Sequence, residues 1–108
     1  MKTIPIEKEI QKLAQNIIKN FPTSKEIILF GSHADSSNDT KNDIDLCILT
    51  KSRKRKIDLL REVRKILSSV TSYPLDILIY KPDEFYKRAS LTSTLEYNIK
   101  NKGIKLYG

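Results

Sequence analysis

Three apolar runs of strand length constrain this chain more than any other feature: Glu26-Ile27-Ile28-Leu29-Phe30, Asp45 to Leu49, and Leu75 to Tyr80. Each is rich in aliphatic residues, and turn residues such as Gly31 and the Lys81-Pro82 pair close two of them. Between the second and third runs, Ile57, Leu60, Val63, Arg64 and Leu67 recur at helical spacing from about residue 53 to residue 70. That stretch reads as an amphipathic crossover, long enough to set the second and third strands side by side. Ile6, Ile10, Leu13, Ile17 and Ile18 mark a further helix over residues 6–20, stopped near Asn20 by Phe21-Pro22. Residues 83–101 read as helix in one or two pieces, and Gly103 to Tyr107 as a turn and a short final strand. The order is α-β-β-α-β-α-β. The expected fold class is α/β (α+β), a mixed sheet with helices packed on it, in one domain spanning residues 1–108.

A chain of 108 residues with 31% charged side chains suits one globular domain, able to bury roughly two-thirds of its unfolded surface. No apolar run approaches the roughly 20 residues a bilayer crossing needs, and MKTIPIEKEI meets charge too early for a signal peptide. A cytoplasmic protein with no membrane association is expected. The single cysteine, Cys47, lies in the run IDLCIL and reads as a small buried apolar residue. Net charge is +7, so an anionic partner is favoured by long-range attraction. Much of the excess lies from Lys51 to Lys56 and on to Lys65, at the start of the crossover helix.

Against that background, acidic residues inside apolar strands stand out. On a strand, Asp43 and Asp45 project to one side while Ile44, Leu46 and Ile48 project to the other, toward the core. Like charges roughly 6.5 Å apart repel unless a cation or donor stands between them. In the third run Asp76 is the lone charge, opposite in facing to Leu75, Ile77 and Ile79. If the two strands are neighbours, all three carboxylates converge. Oxygen donors with no histidine or thiolate beside them select Mg2+ or Mn2+ over zinc. Mg2+ binds through few carboxylates plus substrate phosphates, so a nucleotide is the expected missing ligand. Gly31 and Ser32, directly after the first strand, supply a turn whose backbone and hydroxyl can grip phosphate oxygens.

Other motifs fail on spacing. With three glycines the chain has no P-loop, and an EF-hand over Asp39 to Asp45 places Lys41 at a ligand position. Adjacent Ser32 and His33 on one turn do not suit a Ser-His-Asp triad.

The combination of strand, Gly31-Ser32-His33-Ala34-Asp35-Ser36, Asn42-Asp43-Ile44-Asp45-Leu46 on a second strand, crossover helix and Asp76 on a third resembles the minimal nucleotidyltransferases (MNT domains) of the DNA polymerase β superfamily. Their pattern is Gly-Ser-x-Ala-x-Gly, Ser-Asp-x-Asp-Leu and a later strand aspartate. The likeness spans nearly the whole chain, including the closing segment Asn101 to Tyr107. It implies a single-domain nucleotidyltransferase fold and transfer of AMP from ATP to a hydroxyl. Asp43, Asp45 and Asp76 are then the catalytic and metal-holding residues for two Mg2+ ions, and Gly31 and Ser32 hold the triphosphate. The resemblance also implies a partner, a HEPN-domain toxin whose tyrosine is modified, with this chain as antitoxin in a hetero-oligomer. Departures fall at Asp35, Ser36 and Asn42, and a negative charge in place of a basic group near the triphosphate would oppose nucleotide binding. They keep open a second reading, a catalytically weak binding module that neutralises a partner by occlusion. Direct nucleic-acid binding through residues 51–65 lacks interleaved aromatics and is not favoured.

Overall fold

The computed structural model describes residues 6–31, 34 and 43–108. Along them run α1 (Ile6–Asn20), β1 (Ser24–Phe30), β2 (Ile44–Thr50), α2 (Lys56–Ser68), β3 (Leu75–Tyr80), α3 (Pro82–Ala89), α4 (Leu95–Lys102) and β4 (Ile104–Tyr107). The strands form one four-stranded sheet in the order β3-β2-β1-β4. β1 pairs antiparallel with both β2 and β4, whereas β2 and β3 are parallel. A parallel neighbour needs a crossover, and α2 provides it.

The periodicity of α1 is met by the burial of Ile10, Leu13, Ala14 and Ile17. Phe21 donates its N–H to the Ile17 carbonyl at 2.8 Å, and Pro22 follows and cannot extend the helix. In α2 the buried stripe is Leu59, Val63 and Leu67. Ile57, expected to share that stripe, is 47% exposed, because α2 starts only at Lys56 and the stripe is set by its contact with the sheet. The basic run is likewise not helical at its start: residues 51–55 precede α2 outside any helix or strand. Three of its cations find carboxylates, Lys54 with Glu62, Arg55 with Asp58 and Lys56 with Glu84.

The sheet is covered on both faces. Ile44, Leu46, Ile48 and Ile77 join α1 and α2 in the larger core. The opposite face carries Ile28, Cys47 and Leu49 under α3 and α4, through Phe85, Ala89 and Ile99. The alternation therefore separates two cores, not a core from solvent. Complete burial of β2 from Leu46 to Thr50 follows, as expected of a strand buttressed on both sides. Pro82 occupies the first turn of α3, and Thr94 caps α4 by accepting the Tyr97 N–H at 3.1 Å. Among the described residues no helix is long and apolar enough to cross a membrane.

Candidate active site

The site edge is built where β1 ends and where β2 and β3 begin. In the β2–β3 ladder Asp45 is the register partner of Asp76, so the two side chains leave the same face of the sheet from strands roughly 4.8 Å apart. That is the face of the smaller core, whose apolar rows, Cys47 beside Leu78 and Leu49 beside Tyr80, continue away from the aspartates. The Ile44 N–H donates to the Pro74 carbonyl at 2.9 Å, which fixes the two strand starts against each other just before the paired carboxylates.

Gly31 approaches from the other side of β2. Phe30, the last residue of β1, is the register partner of Asp45, and Gly31 then turns with φ at +76°. The Ala34 N–H donates to the Gly31 carbonyl at 3.1 Å. A Cβ at Gly31 would collide with the Asp45 carboxylate, so the absence of a side chain is what lets that carboxylate lie against the backbone. The sequence pointed to Gly31 as a phosphate-gripping turn; its intimate contact with Asp45 was not visible there, since spacing alone does not reveal which side chain a glycine must admit.

Asp43 lies one residue before β2 and is exposed. Asp45 is half-buried and Asp76 exposed. The register thus brings Asp45 and Asp76 together and leaves Asp43 at the approach to the strand. Among the described residues no three His, Cys, Asp or Glu side chains are grouped closely enough to hold a metal ion by themselves. Ser32, expected to hold phosphate, lies outside the described residues, as do the departures at Asp35, Ser36 and Asn42.

At the far end of the same face stand two carboxylates that the sequence reading did not single out. Glu96, 5% exposed, accepts the Tyr80 hydroxyl at 2.5 Å and pairs with Arg88 at 3.2 Å. Glu26 accepts the Tyr86 hydroxyl at 2.7 Å and pairs with Lys105 at 3.0 Å. The Tyr80 hydroxyl, and with it Arg88, hold the Glu96 carboxyl below the usual carboxylate range. Burial, with these two negative charges behind it, pushes the Cys47 thiol up to about 12. These groups tie α3, α4 and β4 to the sheet, and they lie at the strand ends opposite Asp45 and Asp76.

A nucleotidyltransferase domain family model matches residues 10–106. The chain belongs to the nucleotidyltransferase domain family. Comparison with curated proteins gives no significant match. Among solved structures, the chain is similar to one in the complex of tri-AMPylated Shewanella oneidensis HEPN toxin with MNT antitoxin, at 20% identity and TM-score 0.60, covering 94% of this chain and 71% of that one. A toxin-antitoxin structure with AMP-PNP gives 22% identity and TM-score 0.59, covering 94% and 73%. A Sulfolobus solfataricus protein described as a putative nucleotidyltransferase gives 19% and 0.58, covering 91% and 76%. At these identities the likeness is one of fold, and the fold is the nucleotidyltransferase one anticipated from the motifs.

Proposed function

We propose that this chain is an antitoxin that transfers AMP from ATP to a hydroxyl, a tyrosine's, on a HEPN-domain toxin, with release of pyrophosphate. The observation that carries the reading is the pairing of Asp45 with Asp76 at the sheet edge, with Gly31 pressed against Asp45. Membership of the family supports transfer chemistry. The toxin and the AMP group are suggested by what the similar structures contain.

The donor set fits a hard divalent cation. Asp45 and Asp76 offer only oxygen, Asp43 adds another carboxylate at the strand approach, and two carboxylates plus substrate phosphates are the usual company of Mg2+. When bound there, Mg2+ would neutralise the triphosphate and lower the pKa of the acceptor hydroxyl. The chain's own residues do the positioning. Gly31 lets backbone stand close to the triphosphate, Ser32 adds a hydroxyl, and the Asp45 carboxylate is fixed between β1 and β3. Asp76, the more exposed of the pair, faces the acceptor side and takes the hydroxyl proton.

The test is incubation with ATP labelled at the α-phosphate, Mg2+ and a HEPN-domain toxin that binds this chain. Label should enter the toxin with the intact chain. With Asp45→Asn or with chelator, transfer should fall by at least about a hundredfold while the complex still forms. A stable complex that carries no label, indifferent to Asp45→Asn, would establish occlusion instead.

A further inference from the structure

The α4 helix crosses the face of the sheet that carries Asp45 and Asp76, and its two ends locate it. At its start Glu96 accepts the hydroxyl of Tyr80, the last residue of β3, at the end of the sheet away from the aspartates. At its finish Gly103 packs against β1 near that strand's close: a Cβ there would fall 2.6 Å from the Ile28 Cγ2 atom and 3.0 Å from the Leu29 carbonyl oxygen. β4 then begins with Ile104 in register with Leu29, two residues before Gly31. The helix therefore runs obliquely over the smaller core, from the far end of β3 to the end of β1 that reaches the candidate site.

Its two flanks look in opposite directions. Ile99, 1% exposed, points to the sheet. With about 3.6 residues to the turn, Lys100 and Lys102 stand on either side of it. The Lys100 ammonium lies 5.8 Å from the centre of the Tyr86 ring, and Tyr86 donates its hydroxyl to Glu26 near the start of β1. That flank faces the far end. The other, with Lys102, faces the end where β1 finishes and where β2 and β3 begin, on the side of Asp45 and Asp76. Lys102 is exposed and forms no ion pair with a described residue, whereas Lys105 is held by Glu26 at 3.0 Å. A cation in the last turn also suits the helix dipole, but that role asks nothing of the flank, and Lys100 would serve it equally.

We propose that Lys102 is a further ATP-binding residue, whose ammonium holds the leaving end of the triphosphate from the α4 side of the site while Gly31 holds it from β1. The inference rests on the transfer reading above. Asp43, Asp45 and Asp76 gather negative charge at the strand starts, which a divalent cation would offset, so the β- and γ-phosphates call for positive charge from the chain itself. The flexible four-carbon stem of lysine lets its ammonium follow them. In the transfer the acceptor oxygen bonds to the α-phosphorus, the bond from that phosphorus to the bridging oxygen breaks with its electron pair going to pyrophosphate, and the acceptor proton passes to Asp76. Lys102 meets the charge that gathers on the departing pyrophosphate.

The probe is ATP with Mg2+, titrated into the full chain by calorimetry, with AMP, which lacks the leaving end, as the comparison. Lys102→Gln should weaken ATP at least about tenfold and leave AMP unchanged, and Lys102→Arg should recover most of the loss. Lys100→Gln, on the other flank, should change ATP affinity less than about twofold. In the transfer assay Lys102→Gln should raise KM for ATP and leave KM for the toxin as it was. Unchanged ATP affinity in Lys102→Gln, an equal loss in Lys100→Gln, or a loss for AMP as large as that for ATP would overturn the assignment. ATP binding that depends on Lys102 while no label reaches the toxin would leave this residue's role standing and remove the transfer reading alone.

Discussion

Gly31 carries two constraints at once, a left-handed backbone and a carboxylate where a side chain would begin. Replacement by alanine meets both. The left-handed conformation costs a residue with a Cβ about 1–2 kcal/mol, and the collision makes the Asp45 carboxylate turn away from its place against Gly31. Gly31→Ala should therefore reduce labelled AMP transfer at least about a hundredfold while lowering the urea unfolding free energy by only about 1–2 kcal/mol. Wild-type transfer rates in a folded Gly31→Ala protein would show that the glycine serves the turn alone. Cys47 provides a contrasting case. Its thiol is buried and raised to about 12, so a thiol reagent at pH 8 should label it only as fast as the protein unfolds. Asp45, Asp76 and Gly31 were legible in the sequence because charge inside an apolar run and glycine at its end are local signals. The contact between Gly31 and Asp45 was not, since it joins the end of one strand to the start of another.

At the level of elements, strand identity and order could be read from apolar runs and turn residues, whereas the second core could not. Ile44, Leu46 and Ile48 announced one buried face; Cys47 and Leu49, on the other, announced a second only once α3 and α4 were placed over them. An uninterrupted apolar run on β2 was the available hint. The α3–α4 pair is held partly by Glu96, whose carboxyl is kept low by the Tyr80 hydroxyl and by Arg88. A carboxyl lowered by folding contributes stability above its unfolded pKa, near about 4.3, and loses it as pH falls through the folded value. The urea midpoint of the wild-type chain should thus fall more steeply than that of Glu96→Gln below about pH 4.3. Parallel slopes would mean that Glu96 is not a source of acid sensitivity.

For the whole molecule, the two cores share one sheet, so neither can be lost without exposing the other. Leu67, fully buried against the larger core, and Phe85, fully buried in the smaller, lie on opposite sides of it. Truncation to alanine should cost about 2–5 kcal/mol at Leu67 and about 3–5 kcal/mol at Phe85. In each variant, circular dichroism and tyrosine fluorescence should report a single coincident transition. Separate transitions would show that α3 and α4 melt independently of the sheet. The charge balance acts at this scale too: residues 51–55 form a basic approach to α2 outside any helix or strand, and three of the five cations from Lys51 to Lys56 are engaged with carboxylates of the chain itself. The helix read from sequence as starting near residue 53 begins at Lys56, after an extended Arg55.

The placement of β4 has one further consequence. It lies against β1 on the side away from β2, so the strand that delivers Gly31 to Asp45 is held on both flanks, by segments more than fifty residues apart in sequence. Without β4, β1 would have a bare flank, and the glycine would be held from one side only. Closing the sheet with β4 therefore steadies the strand whose end forms the candidate site.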